Sequence, residues 1–293
     1  MNSIVPEVGG GIAARPLASA GEFTVVIKPS RGWSSLGLKD LWEYRELLYF
    51  MVWREIQGRY RQTALGTSWL LLRPVVNMVV LSLVFGQLLK VPSDDLPYPL
   101  FSLAALLPWG YFSNAVGRAA NSLVENMYVI SKVYFPRMII PLAGAISGLV
   151  DFIFSFIVFL GILLFYHMPL RLETLWLPAL IFVALMFALA VGLWLATLSV
   201  KYRDVQFAVN FLLQALMYAS PVIYSINVVP EKLQFFYQLN PMTGVIQGFR
   251  WALLGSGEAP GGVFFLSAGV ILVGLVSGAY VFRRTERTIV DIL

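Results

Sequence analysis

Six continuous apolar runs dominate this sequence, at about Thr67–Leu89, Tyr98–Val116, Ile140–Tyr166, Leu175–Val200, Val205–Tyr224 and Val263–Phe282. Each is close to the roughly 20 helical residues that cross a hydrocarbon layer about 30 Å thick. A backbone in lipid has no water to bond to, and a helix satisfies its N–H and C=O groups within one segment. A spanning barrel would show short alternating segments, whereas these runs are continuous. Of the 293 residues 58% are hydrophobic and 13% charged, against roughly 25% charged in a soluble domain. The sequence therefore predicts an all-α integral membrane protein with six transmembrane helices.

Charge orients the bundle. An even number of spans puts both termini on one side, and 17 of the 21 Lys and Arg fall on that side or at the mouth of the first span. Only Lys90, Arg171, Lys232 and Arg250 fall on the other. Lys and Arg accumulate in cytoplasmic loops, so both termini are expected in the cytoplasm. Topology accounts for the net charge of +5, which is then no sign of nucleic acid. There is no Cys, hence no disulfide framework, thiol chemistry or Cys-based metal site. Residues 1–36 contain three consecutive Gly and no run of signal-peptide length. They read as a cytoplasmic tail, flexible at its start, with one short extended piece at Phe23–Ile27.

Residues 37–64 read as an amphipathic helix in the headgroup layer. At 100° per residue Leu38, Leu41, Trp42, Leu48, Tyr49, Val52, Trp53, Ile56 and Tyr60 share one side, with Lys39, Asp40, Glu43, Arg54 and Arg61 opposite. Leu47, Phe50 and Met51 lie on the charged side and Arg45 on the apolar one, a pattern suited to a helix covered partly by lipid and partly by protein. Residues 65–293 form the transmembrane domain. Within it residues 229–255 fit neither a loop nor a span, because Leu233–Leu239 and Val245–Leu254 are apolar but too short to cross. They read as short re-entrant helices on the outer side, or as a folded outer loop resting on the membrane.

No GlyLys dipeptide occurs, so the phosphate-cradling P-loop is absent and ATP-driven work would come from a partner. His167 is the only histidine and reads as an interfacial residue. Asp151 is the one acid deep in a span, where an unpaired charge costs roughly 2.5–3.5 kcal/mol. It would serve proton coupling, or bond to Ser147, Ser155 or a polar group on a neighbouring helix. Arg73 could snorkel to lipid phosphate. Trp109, Tyr111, Phe112, Tyr218 and Tyr224 lie towards span ends, where flat rings could stack on sugars in a channel or anchor helices at the interface. The link between the second and third spans, residues 117–137, offers Asn121, Glu125, Asn126, Tyr128, Lys132 and Tyr134 to a soluble partner, unless it only turns the chain.

Five motifs in order carry a resemblance: WREIQGRYRQTALGTSW from Trp53, ISKVYFPRMIIPLA from Ile130, KYRD at 201–204, SPVIYS at 220–225 and LNPMTGVIQGFRWALLG at 239–255. From about Leu38 onward the chain resembles the membrane subunits of ABC-2-type exporters of polysaccharide such as O-antigen, capsule or teichoic acid. That resemblance implies a homodimer of twelve spans in the bacterial cytoplasmic (inner) membrane, bound to two copies of a separate ABC ATPase. ATP and Mg²⁺ would sit on that ATPase, with no cofactor in this chain. The cargo would be a polysaccharide on a polyprenyl diphosphate, moving between the two protomers. The six polar and aromatic residues from Asn121 to Tyr134 would couple to the ATPase. Arg54, Arg59 and Arg61 would then be placed to meet the diphosphate, although attraction to anionic phospholipid accounts for the same charges. Two alternatives stay open: a drug or lipid efflux permease of the same architecture, and a membrane-embedded enzyme acting on lipid-linked sugars.

Overall fold

The computed structural model describes residues 38–60, 68–257, 259 and 261–286. The expectations for residues 1–36 and for Arg61 lie outside the described residues. Among the described residues every regular element is helical, with no strand.

A short helix α1 (Leu38–Glu43) runs into α2 (Arg45–Tyr60). The Tyr44 N–H donates to the Asp40 carbonyl at 3.0 Å and its own carbonyl accepts from Leu48 at 3.0 Å, so helical bonding continues across the junction. This helix divides its apolar residues between two surroundings. Met51 is buried, and Leu41, Leu47, Leu48 and Val52 pack against the hydrophobic cluster to which it, Ile139, Ile140 and Phe282 belong. Trp42 and Tyr49 are each 72% exposed, and Phe50 and Trp53 are open as well. Large aromatic rings facing out are suited to the membrane interface.

The next elements are α3 (Ser68–Leu81), continued by a π-helical turn at Ser82–Leu88, and α4 (Tyr98–Glu125). After them come α5 (Met127–Lys132), α6 (Ile139–Phe165), α7 (Leu177–Lys201) and α8 (Asp204–Tyr218). The chain ends in α9 (Glu231–Leu239), α10 (Pro241–Leu254) and α11 (Gly262–Glu286). Among the described residues four stretches are long and apolar enough to cross a membrane: Ser68–Leu88, Ile139–Phe165, Leu172–Lys201 and Ser267–Glu286. They correspond to the first, third, fourth and sixth expected spans.

The second and fifth expected spans take a different form. At 28 residues, α4 is about 42 Å long, but Ser113, Asn114 and Arg118 interrupt its apolar surface. It is the centre of the bundle, packed on α6, α7 and α10. Small side chains make that packing close: Gly192 of α7 lies so near α4 that a Cβ there would stand 2.6 Å from the Ala119 Cβ. Close approach through small residues is how membrane helices gain dispersion contacts in place of a hydrophobic drive. The other exception, α8, stops at Tyr218 after 15 residues, short of the run expected to reach Tyr224.

At the α9–α10 end the short helices have clear local causes. Asn240 caps α10, its side-chain oxygen accepting from the Met242 N–H at 3.1 Å, and Pro241 begins the helix where no N–H is needed. Gly255 ends it with φ 72°, the left-handed conformation that glycine adopts without Cβ strain. Most of α10 is buried against α4 and α7, whereas α9 has no buried residue.

Candidate functional site

Helices α2, α3, α4, α6 and α8 enclose a cavity of about 610 Å³. Its α4 wall is made by Leu103, Leu107, Gly110, Asn114 and Arg118. These recur three and four residues apart, so they share one helix face. That wall is apolar at one end and polar to charged at the other. Trp69, Arg73 and Asn77 of α3 face the same space at the same helical spacing, and Trp109, Ser113 and Met217 complete it.

An ion cluster occupies the charged end. Arg59 of α2 donates through Nη1 to Asp151 Oδ2 at 3.0 Å, and Arg118 Nη2 donates to the same oxygen. Ser147 ties the two arginines together from behind: its hydroxyl accepts from Arg118 Nη1 at 3.2 Å and its carbonyl from Arg59 Nη2 at 3.4 Å. All three ionic side chains are mostly covered, with exposures of 24% for Arg59, 18% for Arg118 and 18% for Asp151. Charge-assisted bonds of this kind are about twice as strong as neutral ones.

Among the described residues the Asp151 carboxylate thus meets two guanidiniums. Ser155, expected as a partner, donates at 2.9 Å to the Asp151 main-chain carbonyl and not to its carboxylate. The carboxylate meets permanent cations, which favours the paired, structural reading over a proton relay.

The residues expected to meet a diphosphate separate. Arg59 lines the cavity. Arg54 instead donates through Nη2 to Asn126 Oδ1 and fastens α2 to the start of α5. Of the five candidate channel aromatics only Trp109 lines the cavity. Tyr111 and Phe112 point into the bundle, where the Tyr111 hydroxyl donates to the Ala145 carbonyl at 3.4 Å and Phe112 stacks on Phe187 with centroids 4.9 Å apart. Tyr218 is exposed at the end of α8, and Tyr224 donates to the Tyr218 carbonyl at 2.8 Å beside Tyr237.

The link after α4 is anchored and yet open. Ile130 and Phe135 are buried, while Tyr128 and Tyr134 are 77% and 78% exposed. Lys132 is exposed too, its Nζ 5.8 Å from the Tyr128 ring. Asn121 and Asn126 turn inward, and the Asn121 side-chain oxygen is buried without a hydrogen bond. Partial burial pushes the Glu125 carboxyl above its usual range, and the neighbouring Glu55 charge adds to that. His167, exposed in the turn after α6, has φ 54°.

Reading the sequence one helix at a time missed the part played by Arg118, Asn114 and Asn77 in this site. Arg118 had weight only as a topological charge. The available signal was the i, i+4 spacing of Gly110, Asn114 and Arg118 on one face of an otherwise apolar helix.

Membrane-crossing helices gathered round a charged, partly enclosed cavity form the architecture of a membrane transport protein. Residues 46–254 match the family described as ABC-2 type transporter, and the chain belongs to that family. It is 28% identical over 255 residues to the O-antigen export system permease protein RfbA of Myxococcus xanthus, covering 85% of this chain and 96% of the relative. It is 24% identical to the polysialic acid transport protein KpsM of Escherichia coli, over 80% of this chain and 91% of that one. The inner membrane transport permease YadH of Escherichia coli strain K12 is 27% identical over 71% of this chain and 83% of its own length.

Proposed function

We propose that this chain is the transmembrane permease subunit of an ABC transporter that exports a lipid-linked, O-antigen-like polysaccharide across the bacterial cytoplasmic membrane. Two copies form the channel, and two copies of a separate ATPase drive it. In this reading α4, and α8 together with the chain that follows it to Tyr224, complete six spans, both termini are cytoplasmic, and α9 and α10 dip into the outer leaflet. At about 14 and 21 Å, these two helices are too short to cross.

One observation carries the reading: the charged end of the cavity and the exposed tyrosines Tyr128, in α5, and Tyr134, just after it, lie at the same end of α4. A partner pushing on Tyr128, Lys132 and Tyr134 would act through Ile130, Phe135 and Arg54 on the helices that hold Arg59 and Arg118. Rigid elements with two arrangements are what a nucleotide cycle can bias. The near full-length similarity to the O-antigen and polysialic acid relatives supports the cargo class.

The test is purification of the chain with its candidate ATPase, followed by measurement of ATP turnover with and without lipid-linked polysaccharide. Stimulated turnover is expected. A chain that does not co-purify, or a complex indifferent to polysaccharide, overturns the reading. A second reading, as a drug or lipid efflux permease, rests on the similarity to YadH, whose name specifies transport but no cargo. In that case hydrophobic drugs or lipids would replace polysaccharide as the stimulus.

A further inference from the structure

The cavity holds three guanidiniums, those of Arg59, Arg73 and Arg118, against the single carboxylate of Asp151. Two positive charges are therefore in excess among these side chains, in a space walled by apolar helices where unbalanced charge is costly. Arg59 and Arg118 converge on one oxygen of Asp151. Arg73 comes from the α3 wall and forms no ion pair among the described residues.

Polarity is also ordered along the cavity. Leu103 and Asn114 on the α4 wall are separated by about three helical turns, or roughly 16 Å, and Arg118 lies beyond Asn114 on the same face, with Asp151 and Arg59 joined to it. A prenyl chain ending in a diphosphate has the same order, apolar and then anionic. A diphosphate diester carries two negative charges, which matches the excess, and its several oxygens suit guanidinium forks.

We infer that this cavity binds the diphosphate of a prenyl-linked cargo, and that Asp151 is a built-in counter-ion that holds Arg59 and Arg118 while the site is empty and competes with the diphosphate when it is filled. The inference rests on the proposal that the cargo is lipid-linked, and deepens it by assigning the headgroup to particular residues. Competition gives the site a route to release. Three guanidiniums without a carboxylate would hold a dianion too firmly for a transporter, which must let go.

The full-length chain in phosphatidylcholine nanodiscs provides the test, with tryptophan fluorescence reporting on Trp69 and Trp109 in the cavity wall. Probes are geranylgeranyl diphosphoryl-N-acetylglucosamine, a dianionic diester like the cargo, geranylgeranyl phosphoryl-mannose, a monoanionic diester, and phosphatidylglycerol. The diphosphate is expected to bind about tenfold tighter than the other two, and Arg73→Gln to remove about tenfold of that affinity. Asp151→Asn is expected to tighten diphosphate binding by about tenfold, because a competing charge is gone, while Asp151→Glu stays within about threefold of wild type.

A merely structural carboxylate predicts the opposite sign: weaker binding and a lower melting temperature in Asp151→Asn. That result, or failure of Asp151→Asn to fold while Asp151→Glu folds, overturns the counter-ion role. Arg73→Gln touches no ion pair among the described residues and decides the binding site separately, since unchanged affinity overturns the assignment. Equal binding of phosphatidylglycerol would give the site to bulk anionic lipid. If the site fails these tests while polysaccharide still stimulates ATP turnover, only this inference falls.

Discussion

Arg250 offers the sharpest test of how the α10 end is held together. It is 3% exposed, donating through Nη2 to the Val222 carbonyl at 3.0 Å and through Nη1 to the Tyr224 carbonyl at 3.3 Å. Its guanidinium carbon lies 3.6 Å from the centroid of the Phe101 ring. One side chain of α10 thereby joins the turn after α8 to the start of α4. Arg250→Met keeps the length and removes the charge. The two charge-assisted bonds are worth about 1.5–3 kcal/mol each, and a desolvated cation over a ring about 2 kcal/mol. Sparing the burial of a cation returns several kcal/mol, and Nε has no hydrogen bond to lose. A net loss of about 2–4 kcal/mol follows, or a fall in Tm of about 4–16 °C at 2–4 °C per kcal/mol. The measurement is thermal unfolding in detergent at one fixed scan rate, since membrane proteins of this size seldom refold reversibly. Arg250→Lys should fall between the two, because an ammonium keeps the charge but not the fork. A melting temperature within about 1 °C of wild type for Arg250→Met, or above it, would refute the reasoning by showing that desolvation cancels the bonds.

Three further outcomes are expected. Gly192→Ala places a Cβ 2.6 Å from the Ala119 Cβ; overpacking should cost about 1–3 kcal/mol, set against a helix-propensity gain of about 1 kcal/mol, and Ala119→Gly in the same chain should restore Tm by relieving the clash. Glu125 has its carboxyl pKa raised by burial and by Glu55, so the folded state binds its proton more tightly than the unfolded chain does. Stability is then lost as pH rises from the ordinary carboxylate range through the raised value. Glu125→Gln should melt higher than wild type at neutral pH, the difference vanishing in acid; a constant difference across a pH series of melts would sink the argument. Tyr128→Ala with Tyr134→Ala removes two rings exposed at 77% and 78%. Tm should stay within about 1 °C while co-purification of the ATPase is lost, and retained co-purification would mean that the partner docks elsewhere.

Much of the architecture was legible because the bilayer constrains a chain so strongly. Long apolar runs must be helices, and the short segments between 229 and 255 had to be something other than spans. The two departures share a cause. Hydropathy sums over a window, so the run to Tyr224 read as one helix although α8 ends at Tyr218, and the run from Tyr98 read as ending at Val116 although α4 continues to Glu125, its central place in the bundle letting it carry Asn114 and Arg118. Periodicity on α2 was also real but incomplete. It separated apolar from charged faces without saying which apolar residues meet protein, and Met51, on the charged side of the wheel, is the buried one among the described residues.

The site was less legible because its chemistry lies between helices. Asp151 was conspicuous alone in an apolar run, and the demand for a partner followed from the cost of burying it. The partner could not be named, since Arg118 is 33 residues before it and Arg59 is 92. Both arginines had already been used to orient the chain. That double use is physical: a cation near a span end satisfies the topological rule wherever it points, and only its neighbours decide whether it meets lipid phosphate, a carboxylate or a cargo. Arg54, Arg59 and Arg73 lie within 20 residues of one another in the chain, and the structure gives them three different surroundings: an amide on the way to α5, an ion cluster, and an open cavity wall.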